Sequence, residues 1–318
     1  MNQQLIDLKH KLDPIADLIK DKNDVFYLDY PLHLNVGDLL IYHGTEQFFI
    51  DHNINVTLKR SEYDTDIEEI KQKITPNTTI LLHGGGNFGD LYPQHQNLRE
   101  AVVQSFPNNR VIVLPQTLFY KSQETLEKST ALFRRHKDCH LLARDERTAK
   151  AFKQFSPNVY LSPDMAHELY DTLPTKNTNT GKALYFLRKD IEASDIEKNI
   201  AAQLSAGSHI KDWDDILSKR DGIVLAIGWR LAKFAHKRHL GWLKNFVQYF
   251  WKNYTLRIVK RVAQDFLNYD NITTTRLHGH IFSCLLEIPN VVCDNSYGKN
   301  TGYADLWTKG LNFVEFFR

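Results

Sequence analysis

The segment TTTRLHGH, residues 273–280, brings Arg276, His278 and His280 within five positions, directly before an apolar run. Arginine can donate two parallel hydrogen bonds to a carboxylate or phosphate, and histidine can move a proton near neutral pH. Gly279 permits a tight turn into a helix whose N-terminus adds partial positive charge. A metal is disfavoured, because the two histidines lack helical ligand spacing and no nearby carboxylate pair joins them. The segment predicts an anion site, with helix capping as a secondary role.

A further arginine, Arg188, stands at the carboxyl end of a predicted strand in YFLRKD, residues 185–190. Partial shielding there favours a carboxylate or phosphate partner that accepts two hydrogen bonds from the guanidinium. A salt bridge to the neighbouring Asp190 accounts for this arginine equally well.

Two polar loops of similar chemistry each follow a predicted strand and precede a predicted helix. The first is LNVGD, residues 34–38, in which Asn35 and Asp38 offer polar side chains. Asp38 is also the expected N-cap of the helix. If the strands before the two loops are neighbours, both loops face one cleft, which favours a functional role over capping alone.

The second loop is GGGNFGD, residues 84–90. Gly85 and Gly86 let the backbone approach a ligand closely, while Asn87 and Asp90 add polar groups. An anion fits the amides at the start of the helix expected next. The loop is neither a P-loop nor a dinucleotide fingerprint, since it lacks GK[ST] and G-x-G-x-x-G. A tight turn with a capped helix is the alternative.

The elements that position these loops follow from the alternation of short apolar runs with helix-length segments, such as VFYLDY (25–30) before a helix over Leu39–Ile50. About six strands precede residue 165, and this pattern predicts parallel βαβ units. A polar stretch at 170–182 is typical of a linker, and a second α/β series follows. We predict an α/β protein with domains at 1–175 and 181–318 and a ligand cleft between them.

The composition is that of a globular protein, with 42% hydrophobic and 25% charged residues and a net charge of +2. It excludes a disordered chain and one dedicated to wrapping nucleic acid. Three scattered cysteines without a CxxC pair indicate a reducing compartment. The N-terminus lacks the apolar core of a secretory signal, and no apolar run approaches the roughly 18 residues of a membrane span. We therefore expect a cytoplasmic protein.

A basic aromatic insert occupies residues 228–261 and contains no Asp or Glu. Five of its apolar residues recur at near-helical spacing: Leu231, Phe234, Trp242, Phe246 and Phe250. Such a helix suits peripheral contact with an anionic membrane at the inner face of the cell membrane. Packing of the stripe into the second domain, or into a dimer interface, is the alternative. No nucleic-acid-binding motif accompanies the charge.

The order and spacing of these motifs resemble the polysaccharide pyruvyl transferase family over about residues 25–310: NVGD, GGGNFGD, FLRKD, TTRLHG and IPNVVCDNSYGK. TLKRSEYD and LARDERTAKAF resemble its exopolysaccharide and capsule branch. The resemblance implies two Rossmann-like domains facing a cleft, similar to the GT-B glycosyltransferases. It also implies phosphoenolpyruvate as donor and a pyruvate ketal on two sugar hydroxyls as product.

The resemblance also implies roles for individual residues. The family residues that contact phosphoenolpyruvate correspond to five positions of this sequence: Arg188, Arg276, Leu277, His278 and Lys299. The family residues on the acceptor side of the cleft correspond to six positions: Asn35, Asp38, Gly85, Gly86, Asn87 and Asp90. His278 is the expected general acid or stabiliser of the leaving phosphate, the two arginines clamp the anions, and Asp38 or Asp90 takes the hydroxyl proton.

Beyond the donor substrate we expect no cofactor and no metal. The acceptor's carrier stays open between an undecaprenyl-diphosphate lipid, a nucleotide and a polymer, and the sequence leaves the oligomeric state open. Two other functions remain. One is a GT-B glycosyltransferase that uses a nucleotide sugar and needs a ribose-binding carboxylate, for which Glu287 is the candidate. The other is a non-catalytic scaffold of the polysaccharide assembly complex.

Overall fold

Two parallel sheets organise the chain. The structure is a computed structural model that describes residues 2–176, 179–189, 195–205, 207–294 and 299–317, without the Lys299 side chain. The division into domains at 1–175 and 181–318 stays a prediction, and we refer below to the first and second sheets.

The first sheet has seven parallel strands in the order β2-β1-β3-β5-β6-β7, with β4 beside β5. They are β1 Val25–Leu28, β2 Val56–Arg60, β3 Thr79–Leu82, β4 Gly85–Gly89, β5 Arg110–Phe119, β6 Cys139–Ala143 and β7 Asn158–Leu161. Every residue of β1 and β3 is buried, as expected for strands covered on both faces. The prediction of parallel βαβ units is confirmed, and the seventh strand is β4, formed by the glycine-rich loop itself.

The second sheet has five parallel strands in the order β12-β11-β10-β8-β9. They are β8 Ala183–Phe186, β9 His209–Lys211, β10 Asn271–Thr274, β11 Asn290–Cys293 and β12 Val314–Phe317. The second α/β series expected from the sequence is confirmed, and four of its five strands have four residues each.

The helices lie between and around these strands. They are α1 Gln3–His10, α2 Pro14–Asp17, α3 Val36–Asp51, α4 Ile67–Lys73, α5 Pro93–Ser105, α6 Gln123–Arg134, α7 Glu146–Phe152, α8 Asp195–Ala202, α9 Trp213–Ile216, α10 Lys219–Lys237, α11 Gly241–Phe266, α12 Leu277–Leu285 and α13 Lys299–Trp307, with a 3₁₀ helix at Met165–Leu169.

Helix α3 is buried on nearly every side and takes part in the cores of both sheets. Val36, Leu39 and Leu40 belong to the apolar cluster that contains Ile272 and Val292 of the second sheet. The next turns of α3, including Tyr42 and Phe48, belong to the cluster that contains Tyr27 and Ile112 of the first sheet. The first turn of this helix is thereby fixed between the two sheets.

Helices α10 and α11 form a hairpin that carries the basic aromatic insert. The indole of Trp229 donates to the carbonyl of Leu32 at 2.6 Å, and that of Trp251 to Pro31 at 2.7 Å. The hairpin therefore packs against the loop after β1. Four of the five residues of its aromatic stripe are 46% to 69% exposed: Phe234, Trp242, Phe246 and Phe250. Within the ranges described, no helix is both long and apolar enough to cross a bilayer.

Candidate functional site

The site lies where each sheet reverses its strand order. In the first sheet β1 pairs with β3, so the segments that carry Asn35 and Asn87 follow neighbouring strands, which meets the condition for both to face one cleft. In the second sheet β8 pairs with β10, and Arg188 and Arg276 follow these two strands. Open α/β sheets bind ligands at such switch points, beyond the carboxyl ends of the strands.

A cavity of about 310 Å³ opens between the two switch points, at the small end of the range for ligand pockets. Eight of the predicted site residues line it: Asn35, Asp38, Gly86, Asn87, Arg188, Arg276, Leu277 and His278. Gly85 and Asp90 are not among the lining residues, and the side chain of Lys299 lies outside the described residues.

His278, in the first turn of α12, joins the two sheets. Its Nε2 lies 3.3 Å from Oδ2 of Asp164, which follows β7 of the first sheet. The same carboxylate oxygen accepts a hydrogen bond from Arg144 at 2.5 Å. Burial alone would raise the pKa of Asp164, but the charges of His278 and Arg144 outweigh it and hold this pKa well below its usual value. An ionised carboxylate thus lies beside the imidazole and orients it.

The other face of His278 packs against Gly37 in the first turn of α3. A Cβ atom built at position 37 would lie 2.6 Å from Nδ1 of His278, closer than side-chain carbons normally approach. The glycine of the NVGD motif is therefore required for the close approach of α12 to α3.

Arg276 is held by a carboxylate of its own sheet. Its Nε and Nη2 donate to the two oxygens of Asp212 at 2.5 and 2.6 Å, and Asp212 also accepts from the amide of Lys189. The two parallel hydrogen bonds that we predicted Arg276 would donate to a substrate anion are thus donated to Asp212. Arg276 still lines the cavity, with an orientation fixed in advance.

Arg188 is positioned through its backbone, since its amide donates to the hydroxyl of Thr275 at 3.0 Å. Asn300, another lining residue, donates to the carbonyl of Thr275 at 2.7 Å. The loops after β8 and β10 are therefore cross-linked beside the cavity. The alternative partner Asp190 lies outside the described residues.

His280 points away from the cavity into the core. Its Nδ1 lies 2.7 Å from Asn290 and its Nε2 2.8 Å from Thr308, and burial lowers its pKa to about 4. This histidine is a neutral structural residue. Gly279 lies inside α12 and not in a turn before it, because the helix already begins at Leu277.

On the first-sheet side, Asn35 caps α3. Its side chain accepts from the amide of Gly37 at 3.0 Å, so the expectation that Asp38 is the N-cap is wrong. Asp38 lies one turn further on and lines the cavity with its carboxylate 3.7 Å from Nε2 of His33. The cavity wall therefore carries both an amide and a carboxylate here.

The glycine-rich loop differs from the prediction because it forms β4 and does not lead directly into a helix. Helix α5 begins only at Pro93, so no helix N-terminus meets the glycines. Gly85 has φ of +120°, a conformation that favours glycine. Asn87 is held by Arg99, which donates to its side-chain oxygen at 2.5 Å and to its carbonyl at 3.0 Å.

Asp90 is engaged outside the cavity. Its carboxylate accepts from the amides of Lys121 and Ser122 and from the hydroxyl of Thr125, at the start of α6. The structure does not bring it to the other site residues, so we do not retain it as the acceptor base.

A buried ionic cluster backs the first-sheet wall. Nδ1 of His95 lies 2.7 Å from Asp29 and 2.8 Å from Glu62, and Arg99 lies 3.1 Å from Asp29. In the part of the chain that is described, Asp29, Glu62 and His95 are the one group with the ligand types and spacing of a metal site. Burial opposes protonation of His95, but the two carboxylates raise its pKa to about 10. In this structure the three side chains are paired with one another as ions.

Sequence reasoning missed several residues of the cavity wall. The clearest are Glu62, Tyr63 and His95 on the first-sheet side, and Arg144 with its partner Asp164. Arg144 and Asp164 both follow strand ends, in LARD and LSPD, and that position was the available signal. The ribose-binding candidate Glu287 is not a lining residue and accepts a hydrogen bond from Tyr170 at 2.5 Å.

Comparisons with known proteins agree with the motifs. The family model described as polysaccharide pyruvyl transferase matches residues 35–297. The chain is 39% identical to "Putative pyruvyl transferase EpsO" of Bacillus subtilis, covering 96% of this chain and 92% of that protein.

Two likenesses are more distant. "Pyruvyl transferase 1" of Schizosaccharomyces pombe is 29% identical, covering 90% of this chain and 70% of its own length. A solved structure of an uncharacterized Klebsiella pneumoniae protein has a TM-score of 0.55 and 19% identity over 98% of both chains, which supports the fold alone. From the family match and the Bacillus subtilis relative at 39% identity, the chain belongs to the polysaccharide pyruvyl transferase family and is an enzyme of that class.

Proposed function

We propose that this enzyme transfers pyruvate from phosphoenolpyruvate to two hydroxyls of one sugar during exopolysaccharide or capsule biosynthesis. The observation that carries the proposal is the division of the cavity. Its second-sheet wall presents Arg188, Arg276 and His278, and its first-sheet wall presents mostly amide and carboxylate groups beside Arg144 and His95: Asn35, Asp38, Glu62 and Asn87. A dianionic donor fits the first set and a polyhydroxylated acceptor the second.

The donor half suits a molecule with one carboxylate and one phosphate. Arg188 and Arg276 provide two guanidinium groups, and the N-terminus of α12 adds partial positive charge beside them. Because Asp212 fixes the Arg276 guanidinium beforehand, little side-chain entropy is lost when an anion binds. Lys299 remains a proposed phosphate contact on the resemblance alone.

We assign two separate proton transfers of the reaction to His278 and Asp38. His278 donates a proton to the methylene carbon, while Asp38 takes the proton of the sugar hydroxyl that attacks the adjacent carbon. Loss of phosphate and attack by the second hydroxyl complete the ketal. The second hydroxyl proton leaves with the phosphate, so the two protons released equal the two consumed. Asp164 orients the imidazole of His278.

Two sheets that face one cavity also support the GT-B-like arrangement, with the acceptor bound mainly by residues before 175. A glycosyltransferase acting on a nucleotide sugar has less support, since Glu287 is engaged with Tyr170 outside the cavity. A scaffold without activity does not account for the Asp164–His278 pair.

Calorimetric titration with phosphoenolpyruvate tests the donor. We expect saturable binding that Arg188→Ala weakens about 10- to 150-fold, the range for losing a hydrogen bond to a charged group. Arg147→Ala, at an exposed position of α7, is the matched control and should bind as the parent does. Binding of a nucleotide sugar instead of phosphoenolpyruvate would transfer the protein to the glycosyltransferase interpretation.

A further inference from the structure

The outward face of the α10–α11 hairpin exposes more large apolar side chains than globular surfaces normally do. On α10, Ile223, Ile227 and Phe234 are 62%, 50% and 50% exposed. On α11, Trp242 and Tyr249 are 69% and 68% exposed. Their spacings of four or seven residues place them along one side of each helix. A contiguous apolar face of this kind marks an interaction surface.

The same face is basic. On α10 the angular positions of Arg230, Lys237 and Arg238 fall among those of the exposed apolar residues, and all three are exposed. On α11 the exposed aromatic residues are followed two to three turns later by exposed Arg257 and Lys260. The segment 222–264 contains no Asp or Glu at all. A partner for this face must therefore accept both apolar insertion and a dense positive charge.

We infer that the outward face of the hairpin docks on an anionic lipid bilayer. Trp, Tyr and Phe side chains insert at the boundary of headgroups and acyl chains, while arginine and lysine pair with lipid phosphates. A second copy of the chain fits less well. A two-fold contact would bring the same basic face of each copy together without any acidic residue from 222–264 to neutralise it.

The docking face borders the cavity. Tyr63, a lining residue, contacts the Trp229 ring at a centroid distance of 5.7 Å, and Lys233 lies 5.4 Å from the Tyr63 ring centroid. The hairpin thus contacts one side of the cavity entrance. A bilayer against its outer side would hold the mouth close to the headgroup layer, where an acceptor on a lipid diphosphate is presented. That last step rests on the proposed function, whereas docking itself does not.

Vesicle sedimentation tests the inference without donor or acceptor. We expect the full chain to bind vesicles of phosphatidylcholine mixed equally with phosphatidylglycerol, and to bind pure phosphatidylcholine vesicles at least tenfold less. Each cation lost near an anionic surface lowers the partition coefficient about fivefold. The variant Arg230→Glu/Lys237→Glu/Lys260→Glu should therefore bind at least about 100-fold less. Trp242→Ser/Tyr249→Ser should also lose binding, with the circular dichroism of the parent.

The matched control reverses three exposed cations on α6 and α7: Arg134→Glu/Arg147→Glu/Lys150→Glu. It has the same change in net charge and should keep vesicle binding within threefold. Equal losses in the control and hairpin variants, or no binding by the parent, would overturn the inference. So would a parent dimer that the hairpin variants convert to monomers while vesicles are not bound, because the face would then belong to a second copy.

Discussion

Replacement of Gly37 by alanine should separate activity from stability. The added Cβ would lie 2.6 Å from Nδ1 and 2.9 Å from Cγ of His278. The imidazole must therefore retreat by about 0.8 Å to reach an ordinary contact of 3.4 Å. That shift is comparable with the misplacement of about 1 Å that costs a catalytic group about 100-fold in rate. We expect turnover to fall about 10- to 100-fold.

The fold should tolerate this change. Gly37 lies in the first turn of α3 with no positive φ, and alanine in a helix is favoured over glycine by about 1 kcal/mol. That gain offsets the cost of moving one side chain, so the free energy of unfolding should stay within about 1 kcal/mol of the parent.

The assay measures phosphate release from phosphoenolpyruvate with a mixture of sugar acceptors, beside urea unfolding of the same preparations. Gly222→Ala is the matched control, because Gly222 also lies in the first turn of a helix but meets nothing within 4 Å. Turnover of Gly37→Ala within threefold of the parent, or an equal loss in the control, would refute the contact between α3 and His278 as a determinant of activity.

Two further predictions concern ionisable side chains. His278→Ala should lower turnover about 100- to 10,000-fold with unchanged urea unfolding, and turnover within tenfold would remove the proton-transfer role. Glu168 is 1% exposed, and burial raises the pKa of its carboxyl to about 8. The native state therefore retains a proton that the unfolded state loses above its ordinary pKa, so stability falls between about pH 4.5 and 8. Glu168→Gln should be the more stable form at pH 8.5 and equal to the parent at pH 4, as urea unfolding at both values will measure.

The sequence was sufficient for the parallel architecture and for eight of the seventeen residues that line the cavity. Strand-end residues such as Arg188 and Asn87 could be chosen because apolar runs locate strands, and parallel strands end at one edge. The chain from Leu39 was recognisable as a helix from its apolar content. Its start at Val36 was not, because Asn35 and Asp38 are both good caps and only the geometry separates them.

Contacts between residues far apart in the chain could not be predicted from the sequence. Asp164 is 114 positions from His278, and Asp212 is 64 positions from Arg276. Nothing local distinguishes these aspartates from the many that cap helices, since Asp164 and Asp212 do cap helices as well. The β4 strand was hidden for another reason. Glycine has low strand propensity, and GGNFG pairs only because β5 extends ten residues and offers it an edge.

The position of α3 in both apolar clusters has a consequence for how enzymes of this kind acquire new acceptors. A recombination that joined residues before the 170–182 stretch to the remainder of a different relative would leave Val36, Leu39 and Leu40 against a foreign surface. The hairpin tryptophans, which bond to Pro31 and Leu32, would meet the same mismatch. Exchange of an entire half of the chain would therefore destabilise the protein through these mismatched contacts. Single substitutions in the short loops around the cavity would leave these contacts intact.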